Sequence, residues 1–396
     1  MTDEREVVVL SAVRTAIGGY GGSLKDFPPA DLAAACVREV VKRGNVEPQQ
    51  VGHCVFGNVI HTEQRDMYLS RVACVNGGLP VETPALTVNR LCGSGLQAIV
   101  SAAQTILLGE ADCAVAGGAE VMSRGQYWLP SLRWGQRMND GAIVDAMVGA
   151  LTDPFDDCHM GVTAENIAQK WQISREDQDA FAVESHERAA RATDNGYFKD
   201  QILAIEIKTK KATTVFDTDE HIRRGISVEQ MAKLRPVFNR EGTVTAGNAS
   251  GINDAAAAVL LMERSRAEQL GLKPLARLVG YAHAAVEPKY MGIGPVPAVR
   301  KLLDKTGLQV ADLDILEVNE AFAAQALAVV RDLGLPADRT NPNGSGISLG
   351  HPIGATGTIL TVKAVHELQR TGGRYALVTM CIGGGQGIAA IFERLG

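Results

Sequence analysis

VNRLCGSGLQAIVSAAQTILLG, residues 88–109, follows and overlaps a β-type run, ALTV at 85–88. A turn with two glycines leads into a long segment whose apolar residues recur at helical spacing. Strand, tight turn and buried helix in that order are the repeating unit of an α/β protein. Cys92 falls at or just before the first helical turn, where unpaired backbone N–H groups and the positive end of the dipole stabilise a thiolate. A small nucleophile beside glycines on a strand-to-helix turn is what covalent acyl transfer needs.

The same rhythm extends outward. The N-terminal part reads as strand EVVVLSAV, helix DLAAACVREVVKRG, strand VGHCVFGNV, helix MYLSRVACVNGG, then the Cys92 unit and strand CAVAGGAE. The C-terminal part reads as strand LARLVGYA, helix VPAVRKLLDKTG, strand LDILEVN, helix EAFAAQALAVVRDLG, a glycine loop, helix TGTILTVKAVHELQRTG and strands YALVTMC and GIAAIFERL. This alternation predicts largely parallel sheets covered by helices on both faces. VGHCVFGN (51–58) matches DLDILEVN (312–319) by type, and the Cys92 helix with its following strand matches the His351 helix with its own. The pattern is that of a duplication whose buried helices pack together and whose glycine loops converge on one cleft.

Residues 123–249 lose the rhythm and read as an inserted cover. They hold RWGQRMND, DPFDD, the basic IKTKK and one amphipathic helix that Ser174 and Asp177 start and Asn195-Gly196 stop. The expected organisation is 1–122 plus 250–273 as one half, 123–249 as the inserted loop domain, and 274–396 as the other half.

A chain of 396 residues exceeds one ordinary core, in keeping with several units. Its 46% hydrophobic content and 42 glycines suit an α/β protein with many tight turns. A net charge of −6 without a basic cluster argues against nucleic acid as a partner. The start MTDEREVVVL runs directly into a strand, and no apolar run approaches the ~18 residues of a membrane span. Seven irregularly spaced cysteines form no disulfide framework, so a cytoplasmic location is expected. Zinc-binding spacings and a Walker A sequence are missing, and GGYGGS (18–23) and IGGGQG (382–387) lack the dinucleotide-binding context. Cys36, Cys54, Cys74, Cys113 and Cys158 read as small buried hydrophobes, whereas Cys92 and Cys381, each followed by glycines, read as functional.

VNRLCGSGLQA, GGAEVMS, HMGVTAENIA, TAGNASGINDAAAAV, VNEAFAAQ, NGSGISLGHPIGATG and CIGGGQG together resemble the thiolase family, in order and over nearly the whole chain. VNEAF and HMG resemble its condensing and β-ketothiolase branch, and QRDMYLSRVACVNGGLP resembles broad-specificity bacterial enzymes of the polyhydroxyalkanoate-synthesis type. Ser345-Gly346 depart from the paired glycine of many thiolases. The resemblance implies an α/β fold of five layers, αβαβα, made of two duplicated βα halves with an inserted loop domain over the coenzyme A site. It implies reversible Claisen condensation of acyl-CoA with acetyl-CoA to 3-ketoacyl-CoA plus CoA, ping-pong through acyl-Cys92. Coenzyme A and acyl-CoA thioesters would be substrates, no cofactor would be permanently bound, and the assembly would be a homo-oligomer, tetramer or dimer. Fatty acid metabolism is the implied setting.

Residue roles follow from the same resemblance. Cys92 would hold the acyl group, His351 would activate it, and Cys381 would move a proton at the alpha carbon of the second thioester. Asn319 would fix a water that with His351 stabilises one oxyanion, while the N–H groups of Cys92 and Gly383 would form another donor pair. His159, Met160, Phe238, Ser250, Met291 and Phe322 would line the pantetheine and acyl channel, with Arg223 or Arg224 at the CoA phosphates or adenine. Ser250 also reads as a cap for a following helix, and Glu320 as structural. The chemistry is consistent with this division. Carbon–carbon bond formation needs a base for the alpha proton and donors for the enolate oxygen, and an acylated cysteine cannot supply the base. The competing readings are a decarboxylating ketoacyl synthase, which leaves Cys381 unexplained, and a silent acyl-CoA binder, which leaves both thiols unexplained.

Overall fold

The computed structural model describes residues 5–396. One hydrogen-bonded path joins β1 (Val7–Thr15), β2 (His53–Gly57), β3 (Ala85–Val88), β4 (Cys113–Val121), β5 (Asn253–Glu263), β6 (Ala276–Ala285), β7 (Ile315–Val318), β8 (Tyr375–Ile382) and β9 (Gln386–Arg394). The spatial order is β7-β8-β9-β6-β1-β5-β4-β2-β3. Two half-sheets meet at a short seam, where β1 pairs with β6 at Val8↔Arg277 and Val9↔Ala276.

The expectation of largely parallel sheets is corrected. Along this path only β2 with β3, β2 with β4, and β7 with β8 are parallel; the remaining neighbours are antiparallel. The cause is in the connections. The turn at Gly384 and Gly385, with φ of +79° and +86°, folds β8 directly back into β9. The long excursion through 123–249 returns β5 antiparallel between β1 and β4. The parallel pairs sit where the duplication places them: the VGHCVFGN strand beside the strand that follows the Cys92 helix, and the DLDILEVN strand beside the one that follows the His351 helix.

The helices that matter are α1 (Pro29–Arg43), α2 (Leu69–Asn76), α3 (Ser94–Leu107), α4 (Met160–Lys170), α5 (Arg175–Asp194), α6 (Pro295–Thr306), α7 (Ala323–Leu333) and α8 (Thr356–Thr371). α3 and α8 are buried between the half-sheets. Leu96, Ile99 and Ile106 share one apolar cluster with Ile359, Val362 and Val365, and with Val259 and Val378 from the two sheets. Val37, Val40 and Leu69 of α1 and α2 cover the outer face of the first half, and Val299, Leu302 and Val329 of α6 and α7 cover that of the second. The layers are therefore α, β, α, β, α. A polar group on a central helix needs a partner: Lys363, buried in α8, pairs with Glu317 at 2.7 Å and donates to the Gly344 carbonyl at 2.6 Å.

Segment 123–249 lies over the cleft. α5 starts as its sequence predicts, with Ser174 Oγ accepting from the Asp177 N–H at 3.0 Å. A buried ion pair fastens the segment to β1: Arg14 meets both oxygens of Asp219, at 2.8 and 3.0 Å, and Asp219 also accepts from the Ile17 N–H at 2.8 Å. Ser185 of α5 donates to Glu320 at 2.6 Å, fastening it to the second half. Ser250 caps no helix, since the next element is β5; its N–H donates to the Ala321 carbonyl at 2.9 Å. Cys36, Cys54, Cys74 and Cys113 are buried as expected, whereas Cys158 is only half-buried.

Candidate active site

Cys92 sits on a strained turn. Leu91 before it has φ +43°, a left-handed conformation that costs a non-glycine residue roughly 1–2 kcal/mol. Local bonds hold it there: the Leu91 N–H donates to Asn89 Oδ1 at 2.9 Å, and Ser94 Oγ accepts from the Arg90 N–H at 2.8 Å while donating to the Leu91 carbonyl at 2.7 Å. The glycines after Cys92 let the two halves touch. A Cβ on Gly93 would lie 2.6 Å from Ile382 Cδ1, and one on Gly95 would lie 2.7 Å from the Thr358 nitrogen. Burial pushes the Cys92 thiol up to about 11, against the pull of the Gly383 N–H and its own N–H, and the Glu120 charge adds to the rise. The sequence expectation of a thiolate stabilised by the helix start is thereby corrected: desolvation outweighs the helix terminus, and the free site holds a thiol.

His351 opens the loop into α8 and is 5% exposed. Its Nδ1 lies 2.7 Å from Thr356 Oγ1, which itself donates to the Pro352 carbonyl at 2.9 Å. The single hydroxyl proton is thus committed, so Thr356 accepts and Nδ1 carries the ring proton. The lone pair is left on Nε2, and Asn319 Nδ2 approaches it at 3.4 Å. Burial holds the His351 pKa down to about 4, so the ring is neutral at neutral pH. Asn319 Oδ1 is buried without a protein donor, against Gly346.

Cys381 ends β8 fully buried among Met160, Met291 and Phe322, and burial together with the nearby Cys92 raises its pKa far above the ordinary thiol range. Gly383 has no room for a side chain, because a Cβ there would collide with Met160 Cε. Outside this cluster a cavity of about 390 Å³ is lined by Cys92, His159, Met160, Arg223, Phe238, Ser250, Met291, Phe322 and His351. His159 accepts the Gly161 N–H on Nδ1 at 3.0 Å, which caps α4, and its ring stacks on Phe238 at 4.6 Å. Of the two candidate arginines Arg223 lines the cavity; Arg224 is paired with Asp194 at 2.8 Å. Asn319, Cys381 and Gly383 are absent from the lining and stand directly behind it.

Models of the thiolase N-terminal and C-terminal domains match residues 7–265 and 272–394. The chain belongs to the thiolase family. This thiolase is 67% identical to the beta-ketothiolase BktB of Cupriavidus necator, over 99% of the chain and 100% of the relative. It is 46% identical to the human mitochondrial 3-ketoacyl-CoA thiolase, over 98% of each. Among solved structures, the thiolase superposes on the Bacillus anthracis acetyl-CoA acetyltransferase with a TM-score of 0.97 at 47% identity, over 99% of each chain. Against the human mitochondrial 3-ketoacyl-CoA thiolase in complex with CoA the TM-score is 0.96 at 45% identity, over 99% and 98%. No helix among the described residues is long and apolar enough to cross a membrane.

Two polar residues of the thiolase site escaped the sequence reading. Thr356 is five residues beyond His351 in GHPIGATG, and Glu120 is a lone acid inside the buried strand CAVAGGAEV. A charge in an otherwise apolar strand is a usable signal, since a buried carboxylate needs dedicated partners.

Proposed function

We propose that the chain is a β-ketothiolase that joins an acyl-CoA to acetyl-CoA, giving 3-ketoacyl-CoA and CoA, and runs the reverse thiolysis. The observation that carries this is the convergence of Cys92, His351, Asn319 and Cys381 at the floor of one apolar cavity, with the Gly383 N–H directed at the Cys92 sulfur. In the synthetic direction Cys92 Sγ attacks the thioester carbonyl as its proton passes to His351 Nε2. The carbon–sulfur bond to CoA breaks, and the CoA thiolate takes the Cys381 proton and leaves. Cys381, now a thiolate beside the imidazolium, removes the alpha proton of the second thioester. The enolate attacks acetyl-Cys92, and the Cys92 sulfur leaves and recovers its proton from His351. Thiolysis retraces these steps, with the Cys381 thiol as the acid. The N–H groups of Cys92 and Gly383 form one oxyanion site, and His351 with a water on Asn319 forms the other.

His159, Met160, Phe238, Ser250, Met291 and Phe322 would hold the acyl and pantetheine portions, with Arg223 at the mouth for the CoA phosphates. Segment 123–249 then acts as a cover domain between halves spanning 1–122 with 250–273 and 274–396. We also infer a homo-oligomer, because Tyr127, Trp128, Leu132, Trp134, Met138 and Ile143 form an exposed apolar run within 127–143. Loss of the 3-ketoacyl absorbance on mixing acetoacetyl-CoA, CoA and protein tests the activity. Intact mass after acetyl-CoA alone should show one acetyl adduct, absent in Cys92→Ala; an adduct or turnover surviving that change defeats the assignment. Cys381→Ala should leave acetylation detectable, slowed only by loss of the proton donor to CoA, while condensation falls by roughly 10² to 10⁴.

A further inference from the structure

Glu120 is the penultimate residue of β4, a strand buried along its whole length, and is itself 0% exposed. Its carboxylate meets only donors. Oε1 accepts from Asn58 Nδ2 at 3.1 Å and the Ile60 N–H at 3.0 Å; Oε2 accepts from the Val59 N–H at 3.0 Å and the Gly354 N–H at 2.9 Å. Three of these donors come from the loop after β2 in the first half, and the fourth comes from the His351 loop of the second half. The two segments carry Ile60 and Ile353, which pack with Met122 around Cys92 in one apolar cluster. The approach of the His351 loop is close. A Cβ on Gly57 would lie 2.8 Å from the Gly354 carbonyl oxygen, and one on Gly118 would collide with that same oxygen. A Cβ on Gly354 would collide with Glu120 Oε2.

We propose that Glu120 is a positioning residue for acyl transfer: its carboxylate ties the His351 loop of one half to the 58–60 loop of the other, and so fixes the walls of the Cys92 socket. A four-donor carboxylate has no neutral substitute of the same shape. Glutamine offers one oxygen and turns an NH₂ toward two N–H groups, which drives the loops apart. Burial raises the Glu120 pKa to about 8 despite its backbone donors, with Asp66 adding to the rise, so over the range in which Cys92 ionises it is a carboxylate and adds a minor push to the Cys92 pKa. Removing the charge therefore has two consequences of opposite sign. The socket loosens and acetylation slows, yet the Cys92 thiol ionises more easily. A purely architectural role would slow the reaction and leave the ionisation where it was.

The proposal rests on Cys92 being the acylated group, so one readout is kept independent of turnover. Full-length Glu120→Gln, with a melt and oligomeric state matching the parent, is alkylated with iodoacetamide in brief pulses across pH 7 to 12, and the Cys92 peptide is followed by mass. The midpoint is expected to fall relative to the parent, while single-turnover acetylation by acetyl-CoA falls at least tenfold. Should Glu120→Gln fail to fold, Gly354→Ala keeps the charge and displaces the carboxylate; it should slow acetylation tenfold or more. Acetylation within threefold of the parent in the variant that folds, or an unmoved alkylation midpoint in a folded Glu120→Gln, overturns the proposal. Failure of the parent itself to acetylate overturns the β-ketothiolase reading instead, and the alkylation midpoint then decides the role of Glu120 alone.

Discussion

Thr356→Val tests whether the His351 tautomer is set from behind. Valine keeps the shape of threonine but neither accepts from His351 Nδ1, now 2.7 Å from Oγ1, nor donates to the Pro352 carbonyl at 2.9 Å. The Nδ1–H of a buried neutral imidazole then has no acceptor, which costs about 1–3 kcal/mol. The ring can escape only by moving its proton to Nε2, where it faces the Asn319 amide donor at 3.4 Å and no longer offers a lone pair to Cys92. Either way the base-competent form is disfavoured by that amount, roughly a 5- to 150-fold loss in the rate of Cys92 acetylation. The assay is rapid quench with acetyl-CoA followed by intact mass, with the thermal melt as a control. Thr356→Ser restores the hydroxyl and should recover most of the rate, with KM for acetyl-CoA little changed in either variant. A valine variant that acetylates within twofold of the parent, or a serine variant no faster than valine, refutes the tautomer argument.

Acid should destabilise the protein through its buried histidines. Burial lowers the pKa of His351 and His186 from 6.5 to about 4, so the unfolded chain binds these protons first. Their contribution is full above pH 6.5 and is lost as pH falls from there through 4, on the order of 3 kcal/mol for each ring. Urea midpoints that stay constant between pH 7 and 5 would contradict it. Asp219→Ala should cost about 3–5 kcal/mol, because it strands a guanidinium that is 0% exposed. By releasing the cover segment it should also raise KM for CoA thioesters before it lowers kcat, and a denaturation midpoint equal to the parent's speaks against it. 3-Ketovaleryl-CoA should be cleaved alongside acetoacetyl-CoA, since one methylene is worth only ~1–3 kcal/mol and the lining holds the flexible Met160 and Met291. Turnover confined to acetoacetyl-CoA excludes this.

The α/β alternation and the packing of the Cys92 and His351 helices were legible from the repeated strand-turn-helix pattern, whereas the five layers came from the family resemblance. The Cys92 helix is largely apolar, but the His351 helix carries buried Lys363 and Glu367. Strand direction was less legible. Parallel and antiparallel neighbours draw on the same Ala, Val and Ile residues, and the difference lies in connections such as the Gly384-Gly385 turn. Cys92, His351 and Cys381 were singled out by their glycine loops, because close approach of two backbones demands glycine wherever a Cβ would strike the other half. What those loops do not encode is burial depth. Position at a helix start predicts a lowered Cys92 pKa, and only the assembled cavity reverses it. Thr356 and Glu120 act on atoms brought close by folding, so their sequence neighbourhoods carried little of their role. Ser250 was misread as a helix cap because a small polar residue before an alanine run fits a helix as well as it fits β5.

The duplication explains why the two halves of the site do different work. Asn58 follows β2, and Asn319 follows β7, so the two asparagines occupy equivalent places, each at the end of a strand parallel to the one leaving a central helix. Asn58 spends its amide on the Ala119 carbonyl at 2.9 Å and Glu120 at 3.1 Å, binding its own half together. Asn319 instead turns its amide toward His351 Nε2 and leaves Oδ1 without a protein donor. At Asn58 the position is closed by an internal carboxylate; beside Asn319 the strand register puts Cys381 where Glu120 stands in the first half, and the nearby acid, Glu320, faces away toward Ser185 and Asn341. The outward turn of Glu320 keeps a second negative charge out of the cavity floor. In the proposed reaction an inward carboxylate there would oppose formation of both the enolate and the Cys381 thiolate, whereas the neutral amide of Asn319 would hold the water that donates to one and leave the other uncontested.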